Sequence, residues 1–395
     1  MKKERTLIIT PNFYPENFII NDLISEWAKD GKKIEVLTSN PSYPFGKSFR
    51  DYKNKIYCKD YYKGIKVHRF LFIPGYKKSV IKKILNYAIF VMFTTLFCIL
   101  KGRNYNQIFV YQVGAATCAL AASIHGVLYK SRIILWVQDL WPDAIYRYGF
   151  KPNRILDVFL KGLLNFIYSN ASEILVSSPG FINRIKQYLR KNRDIQFIAN
   201  WSLVEYKPTG QIKLPGVFNF TFAGNIGKMR SLDTILLGFN LFVKRYPQTY
   251  LNIIGDGSYL EEVHKIIHKH NIPNVFTPGR KPITEMSDYF YASDILILSL
   301  AGNEVTIPSK LQAYLSTGKP IFGVINGVIG EMNKQFGFGV TADPKRVDDI
   351  AKGFEKLVLL NDSEKELIRD NSRKLLALEF DKKILITKLN GIVYS

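Results

Sequence analysis

The chain has 395 residues, and its 47% apolar content is that of a globular protein, which excludes a wholly disordered chain. Three cysteines are too few for a disulfide scaffold and indicate a reducing compartment. The formal net charge is +22, of which +18 falls in residues 1–200 (31 basic, 13 acidic) and +4 in the remainder (24 basic, 20 acidic). The excess favours an anionic partner such as nucleic acid, a membrane surface or a phosphorylated substrate, and the alternative is a charge that only keeps the protein soluble.

Predicted strands and helices alternate through the first 200 residues. A helix at 20–29, ended by Gly31, follows the first strand. The β-branched, apolar strands indicate a parallel sheet covered by helices on both faces. The predicted strands are 6–10, 34–38, 66–72, 107–111, 133–137 and 173–176.

Residues 77–103, KKSVIKKILNYAIFVMFTTLFCILKGR, predict a long apolar helix. Its centre, Ile84 to Leu100, has 17 residues, so the pattern does not require a membrane-spanning helix. Cations beside an apolar, aromatic-rich helix favour contact with an anionic membrane surface, and the alternative is a core helix with charged ends. The flanking cations are Lys77, Lys78, Lys82, Lys83, Lys101 and Arg103.

The segment 203–216 is rich in proline and glycine and predicts a linker between two domains. Strands are predicted after it at 218–222, 250–254, 294–299, 320–323 and 339–341, and helices at 232–245, 259–270, 308–316 and 347–360. The chain is therefore predicted to be α/β, with two doubly wound domains and a ligand cleft at the carboxyl ends of their strands. The predicted domains are 1–202 and 203–380, and the last helix, 381–395, can pack back on the first domain.

The turn after the first strand of the second domain carries features of an anion site. Gly224 and Gly227 allow a tight turn, and Lys228 and Arg230 precede a helix whose N-terminus attracts anions. A second glycine turn, Gly255 to Gly257, follows the next strand, although such turns also occur without a ligand. Neither turn matches the dinucleotide or P-loop pattern, so NAD and ATP sites lose support.

The segment 299–323 leads from a strand through a loop into a helix that begins at Pro308. Glu304 lies in the loop and Gln312 on the helix, so both side chains can face one ligand. Their oxygens can accept hydrogen bonds from sugar hydroxyls, and Lys310 can meet a phosphate or hydroxyl.

Together, these patterns resemble the retaining family-4 glycosyltransferases of the GT-B fold over essentially the whole chain. Within that family the chain resembles the bacterial surface-polysaccharide branch that includes O-antigen L-fucosamine transferases. The segments that carry the resemblance are FYPENFIINDL with LTSNPSYPFGK (13–23 and 37–47), WVQDLWPDA (136–144), FAGNIGKMRSLD (222–233) and EVTIPSKLQAYLSTGKP (304–320).

The resemblance implies a nucleotide-sugar donor, with UDP the expected nucleotide, held by the second domain. Glu304 matches the first Glu of the family's C-terminal motif, near the donor sugar, and Gln312 replaces the second, which binds the ribose. Asn225 replaces a diphosphate-binding arginine, so Lys228 or Arg280 is expected to supply that charge. The expected donor-binding residues are Gly224, Asn225, Gly227, Lys228, Arg230, Gly255, Arg280, Val305, Thr306, Lys310 and Gln312.

The resemblance also places the acceptor in the first domain. Asp139 is expected to contact the acceptor hydroxyl as base or orienter, and the alternative is that it caps the following turn. Asn17 or Asn21 is expected to contact the ligand where relatives carry a glycine pair. Glu16 and Trp141 complete the expected acceptor site, in which Asp139 and Glu304 are the catalytic residues.

The expected reaction is glycosyl transfer with retention of anomeric configuration, without a covalent intermediate. No Asp-x-Asp pair occurs in the sequence, so we expect neither metal nor cofactor. The expected acceptor is a glycan on polyprenyl diphosphate in O-antigen or capsule synthesis, met by a peripheral protein on the cytoplasmic face of the plasma membrane. The alternatives are a UDP-sugar 2-epimerase of the same fold and, less favoured, a nucleic-acid-binding module.

Overall fold

The computed structural model describes residues 5–141, 154–202, 208–210, 212–301 and 305–394. The chain divides into two compact units. Unit 1 contains residues 1–199 and 386–395, and unit 2 contains residues 200–385. Of the predicted linker, residues 203–207 and 211 lie outside the described part.

The described residues of unit 1 form an eight-stranded sheet in the order β3-β4-β2-β1-β5-β6-β7-β8. All neighbouring pairs are parallel except β3 with β4, which are antiparallel. The strands are β1 (Thr6–Ile9), β2 (Ile34–Ser39), β3 (Tyr57–Tyr62), β4 (Ile65–Phe70), β5 (Gln107–Gln112), β6 (Arg132–Val137), β7 (Glu173–Val176) and β8 (Gln196–Phe197).

Helices connect these strands, and the second of them carries the apolar segment. This helix has 22 residues, within the predicted segment 77–103, and Ser79 caps its N-terminus by accepting a hydrogen bond from the backbone N–H of Lys82 at 3.3 Å. With the short turn after it, the segment Val80–Asn104 is long and apolar enough to cross a membrane by length and composition, and 17% of an apolar 18-residue stretch within it is buried. The helices are α1 (Ile19–Lys29), α2 (Val80–Lys101), α3 (Leu120–Tyr129), α4 (Arg154–Asn170) and α5 (Gly180–Lys186).

The described residues of unit 2 form a six-stranded, fully parallel sheet in the order β11-β10-β9-β12-β13-β14. Its strands are β9 (Phe218–Asn225), β10 (Thr249–Asp256), β11 (Val275–Gly279), β12 (Ile295–Ser299), β13 (Ile321–Val324) and β14 (Gly339–Ala342). Its helices are α6 (Leu232–Val243), α7 (Leu260–Lys269), α8 (Met286–Ala292), α9 (Lys310–Thr317), α10 (Val328–Phe336), α11 (Val347–Val358) and α12 (Asp362–Leu375), the last continued by a π-helical turn at Leu376–Phe380.

Aromatic packing forms much of the core of unit 2. Phe354 on α11 packs against Phe220, Phe239, Phe242 and Phe322, with ring centroids 4.8 to 5.4 Å apart. These rings come from two strands and two helices, so their burial fixes the helices against the sheet. The turns after the strands are thereby held at one edge of a rigid scaffold.

The final helix is α13 (Lys382–Val393), and its residues from 386 onward belong to unit 1. The indole N–H of Trp27 on α1 donates to Asn390 at 2.6 Å, and the rings of Trp27 and Tyr394 lie edge to face, 5.4 Å apart. Leu389 is completely buried. The chain's last residues are therefore part of the core of unit 1.

Candidate functional site

The two glycine turns of unit 2 lie side by side, because β9 and β10 are parallel and in register. Gly224 pairs with Gly255, and Asn225 with Asp256. A Cβ at Gly255 would overlap the carbonyl of Gly224, and one at Gly257 would overlap the carbonyl of Ile226. Packing alone therefore requires glycine at both positions, and their presence is not by itself a sign of a ligand.

A cavity of about 520 Å³ opens at these turns. Residues at the ends of β9 and β10 line one side, and residues that follow β11 line another. Of the predicted donor residues, the cavity brings together Gly224, Asn225, Gly255, Arg280 and Lys310. The cavity therefore lies where sequence reasoning placed the donor.

Lys310, at the start of α9, extends under the first glycine turn. Its ammonium group donates a hydrogen bond to the carbonyl of Ala223, and a Cβ at Gly224 would overlap the lysine nitrogen. Burial, helped by the positive charge of Arg230, lowers the pKa of Lys310 to about 8. The lysine is therefore still mostly a cation at pH 7, and a bound anion would raise its pKa again.

Arg230 lines a second, smaller cavity of about 240 Å³, which Lys310 also lines. The guanidinium donates to the carbonyl of Ser299 at 3.2 Å, and the Ser299 hydroxyl donates back to the carbonyl of Arg230 at 2.6 Å. Burial lowers the pKa of Arg230. No carboxylate is among the described residues that line this cavity, so two half-buried cations face it without a lining acid.

The other predicted donor residues are spread around these cavities. Gln312 is buried, and its amide donates to the carbonyl of Asn200 at 3.1 Å. Lys228 is exposed in the short turn before α6, and Gly227 precedes that turn. Val305 and Thr306 are half-buried in the segment before α9, and Glu304 lies outside the described residues.

Unit 1 has its own pocket, of about 560 Å³, at the carboxyl ends of β1, β2, β5 and β6. The first half of α2 supplies the wall that faces these strand ends. Asp139, which follows β6, is the one residue predicted for the acceptor site that lines this pocket. Other residues that line the pocket include Ser42, Tyr43, Phe72, Tyr76, Lys77, Val80, Lys83, Asn86, Tyr87 and Phe90.

The carboxylate of Asp139 is exposed at the pocket and holds the neighbouring loop. It accepts a hydrogen bond from the backbone N–H of Gly114 at 2.7 Å, and Gly114 has a positive φ of 75°. Burial raises the pKa of Tyr111 and of Cys118, and the negative charge of Asp139 adds to both shifts. This hydrogen bond holds the β5–α3 connection, which is not the turn that follows Asp139, so both predictions for Asp139, acceptor contact and capping of the following turn, stay predictions.

Glu16 and Asn21 make their hydrogen bonds within the protein. Buried Glu16 accepts from the backbone N–H groups of Ser42 and Tyr43, both at 2.7 Å. Burial raises the pKa of Glu16, although these hydrogen bonds oppose the shift. Asn21 donates to the carbonyl of Glu16 at 2.5 Å, and neither the Glu16 nor the Asn21 side chain lines the pocket.

The remaining two predicted acceptor residues lie apart from the pocket lining. Asn17 is exposed, and Trp141 is buried. Sequence reasoning did not assign the wall from α2. The signal was present in the polar and aromatic side chains of 77–103, whose spacing defines a second face of the helix.

Among the described residues, no group of three or more His, Cys, Asp or Glu side chains could hold a metal ion. The expectation that the reaction needs no metal stays a prediction. The cations that line the cavities of unit 2 are the groups available there to meet a negative charge.

Residues 213–374 match the family model "Glycosyl transferases group 1". No curated protein sequence matches the chain. Solved structures that resemble it include sucrose-phosphate synthase from Thermosynechococcus elongatus, with TM-score 0.71, 12% identity and 98% of each chain covered. The α,α-trehalose-phosphate synthase (UDP-forming) from Burkholderia vietnamiensis has TM-score 0.72 and 9% identity, with 99% of this chain and 100% of that chain covered.

Anabaena HepE, crystallised with UDP and glucose, has TM-score 0.64 and 13% identity, with 99% of this chain and 100% of that chain covered. At such low identity these likenesses show the fold, which is the two-domain α/β architecture called GT-B. The expected fold class is therefore confirmed, and the family match covers the part of the chain that contains the two cavities described above for unit 2.

Proposed function

We propose that the protein, a glycosyltransferase with the GT-B fold, moves a sugar from a nucleotide-sugar donor to a glycan carried on polyprenyl diphosphate. The observation that carries this proposal is the pair of half-buried cations, Arg230 and Lys310, at the strand ends of the matched domain. When such a donor transfers its sugar, the leaving group is a nucleoside diphosphate. Two fixed cations can stabilise the negative charge of that leaving group.

UDP is the proposed nucleotide. HepE, which shares the fold, was crystallised with UDP and glucose, and the trehalose-phosphate synthase is named UDP-forming. The resemblance to the L-fucosamine transferases supports an N-acetylated deoxyhexosamine, such as UDP-L-FucNAc, as the donor. In this proposal Gln312 lies at the ribose, and Glu304 lies at the donor sugar.

The proposed chemistry is substitution at the anomeric carbon with retention of configuration. The acceptor oxygen bonds to that carbon on the face from which the diphosphate departs, and the departing phosphate takes the acceptor proton. Arg230, Lys310 and the N-terminus of α6 stabilise the negative charge that develops on the leaving group. Asp139 orients the acceptor hydroxyl, and no metal or cofactor is assigned a role.

The proposed acceptor brings the protein to a membrane. The side of α2 away from the pocket carries exposed apolar residues at helical spacing, here called the outer stripe. The outer stripe consists of Ile81, Leu85, Ala88, Met92, Leu96 and Ile99. With the +18 charge of the first 200 residues, it supports a peripheral protein on the cytoplasmic face of the plasma membrane, acting in O-antigen or capsule synthesis.

The test is a reconstituted reaction with a panel of UDP-sugars and short polyprenyl-diphosphate glycans. We expect one donor to give a product with the donor's anomeric configuration by NMR, and we expect Glu304→Ala to reduce turnover at least about a hundredfold, as loss of a transition-state contact does. A product of inverted configuration would overturn the retaining mechanism. Conversion of the UDP-sugar to its 2-epimer without acceptor would establish the epimerase instead.

A further inference from the structure

The helix α2 has two functional faces. Val80, Lys83, Tyr87 and Phe90 point into the pocket of unit 1, and the outer stripe points away from it. At 3.6 residues per turn, Lys83 and Leu85 differ by about 200° around the helix axis, so the two faces are nearly opposite. A single helix thus connects an apolar exterior with the lining of a pocket.

The rest of the pocket is fixed by hydrogen bonds around this helix. Asn86 accepts from the backbone N–H of Ile73 at 2.6 Å and donates to its carbonyl at 3.0 Å. The hydroxyls of Ser42 and Tyr76 lie 3.2 Å apart, and Ser42 is held in turn by buried Glu16. Hydrogen bonds therefore hold α2 to the β4–α2 connection, and they hold that connection to the loop that follows β2.

The pocket lining combines two kinds of surface. Lys77 and Lys83 are its cations, and Asp139 is the acid among its described lining residues. Its apolar lining includes Phe72 and Phe90. A ligand that matches both surfaces has a compact anionic group joined directly to a hydrocarbon.

We infer that the unit 1 pocket binds the diphosphate and the first isoprene unit of the lipid acceptor, with Lys77 and Lys83 on the diphosphate. The inference rests on the proposed function and adds to it the residues that recognise the carrier. The apolar lining covers the isoprene, and the outer stripe rests on the bilayer from which the lipid enters. The first sugar, joined to the diphosphate, then extends into the part of the same pocket that Asp139 lines.

The test measures binding of farnesyl diphosphate to the full chain, with farnesol and inorganic pyrophosphate as comparators. Saturating UDP is present throughout, so that diphosphates do not report on the cavities of unit 2. We expect farnesyl diphosphate to bind at least about tenfold more tightly than either comparator, because only it engages both surfaces. Pyrophosphate binding of equal strength would overturn the lipid part of the inference.

Two double variants distinguish the effect of positive charge in the pocket from that of positive charge elsewhere near α2. Lys77→Gln with Lys83→Gln removes two charges from the pocket, and Lys101→Gln with Arg103→Gln removes two exposed charges at the other end of α2. We expect the first pair to weaken farnesyl diphosphate binding at least about tenfold, with farnesol binding unchanged, and the second pair to have no effect. Equal losses in both pairs, or no loss in the first, would overturn the assignment.

Failure of the pocket assignment can be distinguished experimentally from failure of the proposed function. Thermal stabilisation by UDP reports the donor site and does not depend on Lys77 or Lys83. Stabilisation by UDP without farnesyl diphosphate binding would overturn only the pocket assignment. Binding of both without sugar transfer would overturn the proposed reaction and leave the pocket as a lipid-diphosphate site.

Discussion

At the scale of single residues, the cavity at the glycine turns of unit 2 depends on the fit between Gly224 and Lys310. The glycine has no side chain, and the lysine extends into the volume that a Cβ would occupy. The ammonium group therefore reaches the carbonyl of Ala223, on the strand that ends at the cavity. Burial beside Arg230 destabilises its charged form, which lowers its pKa to about 8.

This lowered pKa predicts how UDP affinity changes with pH. The ammonium prevails below about pH 8 and is lost above it, so affinity should fall as pH rises from 7 to 9.5, by at most about tenfold per pH unit. A bound diphosphate raises the pKa of Lys310, so the fall in affinity begins near the pKa of the free protein and levels off only above the pKa of the complex. Lys310→Met should bind UDP more weakly at pH 7 and show a flat profile by isothermal titration calorimetry.

Lys228→Met is the matched control for this prediction, because Lys228 is exposed in the turn before α6. That variant should keep the pH profile of the unaltered protein. A profile in Lys310→Met that still falls between pH 7 and 9.5 would show that another group carries the dependence.

At the scale of elements, the packing of the last helix, α13, contributes to the stability of unit 1. In unit 1, Asn390 accepts a hydrogen bond from Trp27, Leu389 is fully buried, and Tyr394, directly after the helix, adds a ring contact. The helix is amphipathic but short, so it depends on this packing for its stability. Sequence reasoning allowed this helix to return to the first domain, and only the partners in α1 show what it contacts.

Leu389→Ala should lower the free energy of unfolding of unit 1 by about 2–5 kcal/mol, because it leaves a cavity where a large side chain is fully buried. Urea unfolding followed by tryptophan fluorescence measures this, since Trp27, Trp136 and Trp141 belong to unit 1 and only Trp201 to unit 2. Lys388→Ala, at an exposed neighbour, should change stability by less than about 0.5 kcal/mol. Equal effects of the two changes would contradict the packing of α13.

Buried central strands can be predicted from the sequence, whereas the edge strand β3 cannot. The central strands β1, β2, β5, β6 and β7 lie within one or two residues of their predicted bounds, because strands buried on both faces are continuous apolar runs. By contrast, β3 was not predicted, since its residues YCKDYY alternate between exposed and half-buried at the sheet edge. Its strand conformation comes from antiparallel pairing with β4, which is a tertiary contact.

At the scale of the whole molecule, the charge is uneven. Residues 1–200 carry +18 of the total +22, and the same part of the chain contains α2 with its outer stripe. Attraction to an anionic bilayer is long-ranged at low salt and screened at high salt, whereas apolar insertion is not. The two contributions can therefore be separated by ionic strength.

Co-sedimentation with vesicles containing phosphatidylserine should fall strongly when sodium chloride is raised from 50 to 500 mM, since the Debye length shortens to a few Å. A smaller, salt-resistant fraction should remain through the outer stripe. Vesicles of phosphatidylcholine alone are the control and should bind only that fraction. Equal binding to both vesicle types at low salt would contradict an electrostatic role for the charge.

The sequence by itself determined the α/β class, the glycine turns, the cations beside α6 and the uneven charge. These are local properties, set by apolar periodicity, backbone freedom and residue type, so they can be read without knowing distant contacts. Only the tertiary structure decided that Lys310 reaches Ala223, that Glu16 binds the backbone of Ser42, and that α2 forms a pocket wall. Those facts depend on contacts between residues far apart in the chain, which parallel strands and packed helices bring together.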